Sequence, residues 1–472
     1  MSKTALFFLT IVLASCHVGP EYLPPTVEVA QDWKGAAAGR SCQEICENWW
    51  EVFHDPVLNQ LIEEAFSYNP SLDAAVERIV QARSLTRIAA ADFYPQINLQ
   101  PNYGNMGVLT KLFGVDTLVR EHQLTYLLPI TISYEIDFWG RIRDTYCAAL
   151  YNEVSVEWDY ETALLLLASD LAAAYFDLRG LDLQIVILKE TIANREKSYK
   201  ITSDRYAGKI TNYSDVARAG LELANAKTQL LETERLRTLR ENQIAVLIGE
   251  TASCFTLDLN PLAGEPPQIP AGLPCEVVKR RPDIASAEMT MASEFAKIGA
   301  AYAGLFPSFV LTGALGFSSP LFKDFMSWRS RYWAMGEDTN LMLFDGGRLY
   351  SIIDLRVAGF QEALANYRQT VLAAFQDVEN ALNDIEQFAG EQKTNKIAVK
   401  EAETALRISM DRYVQGVANY IEVTISQEQE LAAALTDAQL LSSRYLAAIQ
   451  LIKALGGGWE EIPMEEYNEL EP

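Results

Sequence analysis

The sequence predicts a mainly α-helical protein with a transmembrane β part, built as two repeats of long coiled-coil helices that each carry a pair of strands. Three observations lead there. Proline is absent from Ile130 to Asn260 and again from Leu321 to Ile462, while Pro261, Pro266, Pro267, Pro270 and Pro274 crowd the stretch between them. Two long segments free of helix breakers are therefore joined by a loop-rich linker. Dispersed identities recur in constant register between the two segments. In a short region of each segment the apolar period changes from helical to two.

Composition narrows the field of functions. The chain has 472 residues, 49% of them hydrophobic and 22% charged, enough to bury a large core. Lys plus Arg number 39 against 63 Asp plus Glu, a net charge of −24 that repels a phosphate backbone. Nucleic acid is excluded as a partner. The histidines, His17, His54 and His122, are widely scattered. No HExxH, CxxC pair, Walker loop, GxSxG or GxGxxG occurs, so the sequence offers no catalytic, cofactor or metal site.

At the N-terminus, Lys3 precedes an apolar run from Ala5 to Ala14, too short to span a bilayer and suited to a signal peptide over residues 1–15. Leu13-Ala14-Ser15-Cys16 resembles the bacterial lipobox, which makes Cys16 the lipidated N-terminus of the mature chain. An ordinary signal peptide followed by a chance cysteine is the competing reading. His17 stands where an Asp would signal inner-membrane retention, so the resemblance points to the outer membrane. No later stretch of eighteen apolar residues is long enough for a membrane helix. Of the other cysteines, Cys42 and Cys46 are four apart, Cys254 and Cys275 flank the proline-rich stretch, and Cys147 stands alone. Without a ligand cluster near Cys42 and Cys46, a local disulfide or free thiols fit better than a metal.

After a lipidated N-terminal segment, 16–56, the first repeat is expected over 57–260. Leu178, Leu181, Ile185, Leu188 and Ile192 alternate spacings of three and four, as do Val216, Ala219, Leu223, Ala226 and Leu230. These are the seams of coiled-coil helices. Some 65 residues from Gly140 to Asp204 make a helix of about 100 Å at 1.5 Å per residue, longer than a compact domain allows. Ile97 and Leu99 alternate with Gln96, Asn98 and Gln100, and Ile130, Ile132, Tyr134, Ile136 and Phe138 with Thr131, Ser133, Glu135 and Asp137, which predicts a strand pair.

The linker, 261–275, leads to a second repeat over 276–459 and an acidic tail, 460–472. Asn69-Pro70-Ser71-Leu72 matches Arg281-Pro282-Asp283-Ile284 at an offset of 212, as Phe93-Tyr94-Pro95 matches Leu305-Phe306-Pro307. Further on the offset is 207: Gly140-Arg141 matches Gly347-Arg348, Asp204-Arg205-Tyr206 matches Asp411-Arg412-Tyr413, and Gly249 matches Gly456. Phe309, Leu311, Leu315 and Phe317 make one strand face; the return strand, expected near Trp333 to Leu343, alternates poorly. Apolar and polar alternation flanked by Tyr94, Phe138, Trp139 and Phe306 is the transmembrane-barrel pattern, yet four strands cannot close a barrel. Closure requires several chains.

The residues resemble the TolC-like outer-membrane factors, and within them the lipidated efflux channels, from Cys16 to Trp459. The marks are Cys16-His17-Val18-Gly19-Pro20-Glu21-Tyr22 with Pro24; Trp49-Trp50 with Phe53, Asp55-Pro56 and Leu58; Asn69-Pro70; Phe93-Tyr94-Pro95; Tyr134 to Arg141; Arg280-Arg281-Pro282-Asp283; Phe344-Asp345-Gly346-Gly347-Arg348; and Gly456-Gly457-Gly458-Trp459. Together and in order they are specific. The resemblance implies a homotrimer in which four strands per protomer complete a twelve-stranded trimeric β-barrel and the helices form a hollow periplasmic tube. It implies a passive export channel of a tripartite pump, with a periplasmic adaptor and an inner-membrane transporter, of RND type, beneath it. A type I protein-secretion channel is the alternative of the same fold, and a non-pore scaffold lipoprotein the alternative of another class.

The resemblance also assigns sites. Arg205, Tyr206 and Gly208, with Arg412, Tyr413 and Gly416, correspond to the adaptor-contacting tip. Gly208 sits one residue earlier than its counterpart, which leaves the turn of the first half open. A glycine that only ends a helix is the plain alternative. The pore gate is expected at Asp215 and Glu422, repeat partners that threefold symmetry would turn into a ring of carboxylates, with Ile421 and Ile425 as an apolar constriction beside it. Solvated charges on an acidic helix face are the competing reading.

Overall fold

The computed structural model describes residues 18–20, 22–23, 33–34, 48–111, 118–269 and 280–458, with side chains at 106–123 left out. Cys16, Cys42, Cys46, Cys275 and the acidic tail lie outside the described residues. The chain divides into two compact units, one built from Arg78–Glu157 and Ser286–Tyr367 and the other from Val27–Glu77, Trp158–Ala285 and Arg368–Pro472.

The element order repeats. The first half runs α1 (Pro56–Tyr68), α2 (Pro70–Ala90), β1 (Gln96–Leu99), β2 (Asn102–Lys111), β3 (Leu118–Ile136), α3 (Arg141–Ala207) and α4 (Tyr213–Leu247). The second runs α5 (Pro282–Ala303), β4 (Ser308–Ser319), β5 (Arg331–Asn340), α6 (Arg348–Val414) and α7 (Tyr420–Ala454). Helices α3 and α6 each have 67 residues and α4 and α7 each 35, so the offset of 207 holds at both ends of all four.

The motifs that carry the repeat have a common physical cause. At the end of α4, Gly249 turns with φ +78, and a Cβ there would stand 2.2 Å from the Tyr68 carbonyl oxygen; at the end of α7, Gly456 does the same with φ +91, 2.8 Å from that of Arg280. Only glycine fits such a left-handed close approach. The residue before each proline completes the joint. Asn69 Nδ2 donates to the Leu247 carbonyl at 2.7 Å, and Arg281 Nη1 donates to the Ala454 carbonyl at 3.1 Å, so an unpaired carbonyl in the last turn is satisfied in both halves.

In the second unit the core gathers Trp49, Trp50, Leu58, Ile62, Leu171, Tyr175, Leu178, Ile244, Ile248 and Ile449. Asp55 caps α1 through Val57 N and Leu58 N and accepts the Tyr175 hydroxyl at 2.6 Å. Asp182 is fully buried between Arg179 Nη1 at 3.1 Å and Arg237 Nε at 2.6 Å. The same arginines donate to the carbonyls of Asp258 and Leu257, and Asn260 N donates to Asp182, so one charged cluster pins the chain after α4 onto the α3–α4 hairpin.

In the first unit a mixed-length antiparallel sheet has the order β1-β3-β4-β5, with β2 also on β3. Strand β1 pairs with Ile130–Ser133 and β2 with Leu118–Leu127, so the two lie end to end along one edge of β3 while β4 takes the other. The sheet is four strands wide. Strand β5 pairs along β4 from Phe317↔Arg331 to Ser308↔Asn340, a little earlier than its weak alternation suggested. An edge strand is held by the backbone ladder and needs no clean apolar period. The ladder also explains β2, a strand not expected from the spacing of its residues.

Candidate functional site

The register places most of the large apolar side chains of β1, β3 and β4 on one face. Ile97 is opposite Ile132 and Leu99 opposite Ile130; across β3, Ile130, Ile132, Tyr134 and Ile136 meet Leu315, Gly313, Leu311 and Phe309. Their alternates, Asn98, Thr131, Ser133, Glu135 and Thr312 together with Val310 and Ala314, occupy the other face. At the helical end, Trp139 stacks on Phe306 at 4.7 Å, Phe138 lies 6.1 Å from Phe309, and Trp139 Nε1 donates to the Pro307 carbonyl at 2.7 Å. An apolar strip ending in aromatic rings with a wet edge is the outer wall of a membrane barrel. Among the described residues no helix is long and apolar enough to cross a membrane.

The two helical hairpins turn at Lys209 and Gly416. In each, the residue at the bend is left-handed, φ 58 for Lys209 and φ 78 for Gly416. The hydrogen bonds match one for one: Gly208 N, Lys209 N and Ile210 N reach the carbonyls of Asp204, Tyr206 and Arg205, and Gln415 N, Gly416 N and Val417 N reach those of Asp411, Tyr413 and Arg412, all at 2.9–3.0 Å. The shifted glycine therefore leaves the turn unchanged; Lys209 takes the strained position that glycine holds in the second half.

Around these turns Arg205 Nη1 donates to the Val414 carbonyl at 2.9 Å, and its guanidinium lies 4.9 Å from the Tyr413 ring, linking the two hairpins. Tyr413 packs edge to face on Tyr420 at 5.1 Å, and Tyr206 on Tyr213 at 5.5 Å. Tyr413 and Tyr420 are buried, while Tyr206 is half exposed. Burial, followed by the neighbouring Tyr413 and Glu222, pushes the Tyr420 hydroxyl up to about 12.

The expected gate residues sit in the first turns of α4 and α7. Asp215 accepts the Thr211 hydroxyl, and Glu422 pairs with Arg412 Nη1 at 3.1 Å. Ile421 and Ile425 are 43% and 48% exposed in the single chain. Arg412 thus joins the residues expected at the tip to those expected at the gate. No hydrogen bond or ion pair joins Asp215 to Glu422 within the chain.

Above these turns the seam continues in polar residues. Arg195 and Glu222, each about 4% exposed at the side chain, pair at 3.0 Å; Arg195 Nη1 also donates to the Glu222 carbonyl at 2.7 Å, and Gln427 Nε2 to Ser198 Oγ at 3.2 Å. Burial pushes the Glu222 carboxyl up, Arg195 pulls it down, and Glu428 pushes it up again. Glu222, not Leu223, fills the buried seam position of α4. The signal was present in the sequence: Ile185, Leu188, Ile192 and Arg195 keep the spacing of three and four, and Glu222 falls between Ala219 and Ala226. Expecting apolar seams hid it.

A membrane-type sheet four strands wide in one unit, and paired helical hairpins of equal length in the other, define an outer-membrane channel protomer. The chain belongs to the outer membrane efflux protein family, whose model matches residues 61–250 and 273–457. It is 30% identical over 464 residues to the pyoverdine export outer membrane protein OpmQ of Pseudomonas aeruginosa, covering 98% of each chain. It is 28% identical over 458 residues to the probable outer membrane lipoprotein SilC of Salmonella typhimurium, covering 95% of this chain and 97% of that one. The solved outer-membrane channel OprN superposes with a TM-score of 0.88 at 28% identity, covering 94% of this chain and all of that one.

Proposed function

We propose that three copies of the chain form a passive export duct of a tripartite efflux system, carrying drugs or other small molecules from the periplasm to the exterior. One observation carries this reading: a membrane-type sheet four strands wide with two edges, β1/β2 and β5, unpaired among the described residues. In hydrocarbon an open edge leaves N–H and C=O groups unsatisfied, and three sheets joined edge to edge close a twelve-stranded barrel. Residues 1–15 are the signal peptide, Cys16 bears the lipid, and 57–260 and 276–459 are the two repeats. Arg205, Tyr206, Gly208, Arg412, Tyr413 and Gly416 meet a periplasmic adaptor, which couples the duct to an inner-membrane transporter of RND type. Asp215 and Glu422 from three copies form a carboxylate ring, with Ile421 and Ile425 beside it. Energy comes from the transporter; the duct opens and shuts.

Small-molecule export is favoured over type I protein secretion because OpmQ, similar over nearly its whole length, is a pyoverdine exporter by name. Photo-crosslinkers at Gly208 and Gly416, with others at barrel positions such as Thr131, test the assembly in cells. Capture of an adaptor at the turns supports the reading; capture only at the barrel positions contradicts it.

A further inference from the structure

On the apolar face of the sheet, β5 differs from its neighbours. Arg331, Trp333, Met335, Glu337 and Thr339 share that face, opposite Phe317, Leu315, Gly313, Leu311 and Phe309 of β4. Gly313 has no side chain to fill the row between Ile132 and Met335. The result is a depression of about 550 Å³ lined by Ile132, Tyr134, Leu311, Leu315, Trp333 and Met335. Its size and lining suit an alkyl chain. Centred on β4 and bounded by the edge strand β5, it stays on the outer wall when the sheet closes.

Glu337 stands at the helical end of this depression, beside Leu311 in the register, with Tyr134 next across the sheet. The Thr339 hydroxyl donates to it, and no lysine or arginine of the described residues pairs with it. A neighbouring copy would bring the β1/β2 edge against β5, and residues 96–105 contain no Lys or Arg. Glu337 is two residues, about 7 Å along the strand, from the row of Phe309 and the aromatic rings that mark head-group depth. A carboxylate facing lipid at that depth needs a cation.

We propose that the depression at Gly313 and the carboxylate of Glu337 together bind one aminophospholipid of the inner leaflet. The alkyl chain lies along Gly313, and the ammonium of the head group pairs with Glu337. Arg331, at the other end of the same strand face, stacks 3.8 Å over Trp328 and is too far along β5 to compete for Glu337. The site rests on the reading of the sheet as a barrel wall.

The test uses the purified, delipidated full-length assembly, titrated with phosphatidylethanolamine or phosphatidylglycerol and read by native mass spectrometry. Two variants accompany the parent. Gly313→Leu fills the depression, and because a Cβ there meets only Ile132 Cβ at 3.8 Å and the Ala334 carbonyl oxygen at 3.9 Å, the sheet accommodates it. Glu337→Gln removes the charge. The parent should retain phosphatidylethanolamine about tenfold more tightly than phosphatidylglycerol, a factor equal to about 1.4 kcal/mol. Glu337→Gln should erase that preference, and Gly313→Leu should weaken both lipids. Equal retention of both lipids by the parent, or no effect of either substitution, overturns the proposal. Conductance of the same samples separates the two readings: a conducting assembly without lipid preference overturns the lipid site alone, and a parent that never conducts overturns the barrel wall beneath it.

Discussion

Replacing Arg195 with Met should open the seam among α3, α4 and α7 locally. In the parent both side chains of the Arg195–Glu222 pair are about 4% exposed and 3.0 Å apart. The substitution leaves a buried carboxylate without its cation and frees the Glu222 carbonyl that Arg195 Nη1 serves at 2.7 Å. Breaking a buried pair from one side costs about 3 to 5 kcal/mol, which accelerates amide exchange in the seam by at least about a hundredfold if opening is local. Removing both charges with Arg195→Met and Glu222→Leu should recover most of that loss, because no unpaired charge remains. The sign with pH follows from the raised carboxyl. A group whose folded pKa exceeds its ordinary value of 4.5 contributes stability below that value and loses it as pH rises through the folded pKa. Protection in Arg195→Met should therefore return in acid, where Glu222 is protonated, and Glu222→Gln should lack this dependence. Hydrogen exchange at residues 190–202 and 216–230 is the assay. Exchange in Arg195→Met within threefold of the parent at neutral pH would mean that the buried pair does not hold the seam.

Three further outcomes are expected. Gly416→Ala should destabilise its turn by about 1 kcal/mol because its φ is +78, Gly208→Ala should be nearly neutral, and Lys209→Gly should stabilise by up to about 1 kcal/mol, all read by exchange at the turns; equal effects at Gly208 and Gly416 would contradict the turn assignment. Ile132→Arg, on the apolar face, should cost roughly 2 to 4 kcal/mol and depress assembly, whereas Thr131→Arg should assemble normally; equal yields in outer-membrane fractions would reverse the faces. Cys16→Ser should abolish palmitate labelling and lower abundance in the outer membrane while the fold survives, since a lipid chain adds about 0.8 kcal/mol of membrane affinity per buried CH₂; undiminished labelling would place the lipid elsewhere.

The helical seams and the strand faces were legible in residue spacing. Leu178, Leu181, Ile185 and Leu188 are buried as their period required, and Ile97, Ile132 and Leu311 share a face. Where structure depends on the backbone, the signal faded: β2 and β5 are held by ladders to β3 and β4 rather than by alternation of their own. The joints at Gly249 and Gly456 were visible as identities, but their purpose, a carbonyl within 3 Å of a would-be Cβ, appears only in three dimensions. The buried Arg195–Glu222 pair kept seam spacing while breaking seam chemistry. Lys209 shows the converse, a turn conserved in geometry between the two halves although its glycine is displaced.

Single-channel recording of the purified assembly in a planar bilayer tests the duct most directly. A conducting duct gives discrete conductance steps with a preference for cations, weakened in the double variant Asp215→Ala with Glu422→Ala. Purified assemblies that insert yet show no conductance steps at all would contradict it and leave a scaffold in place of a channel.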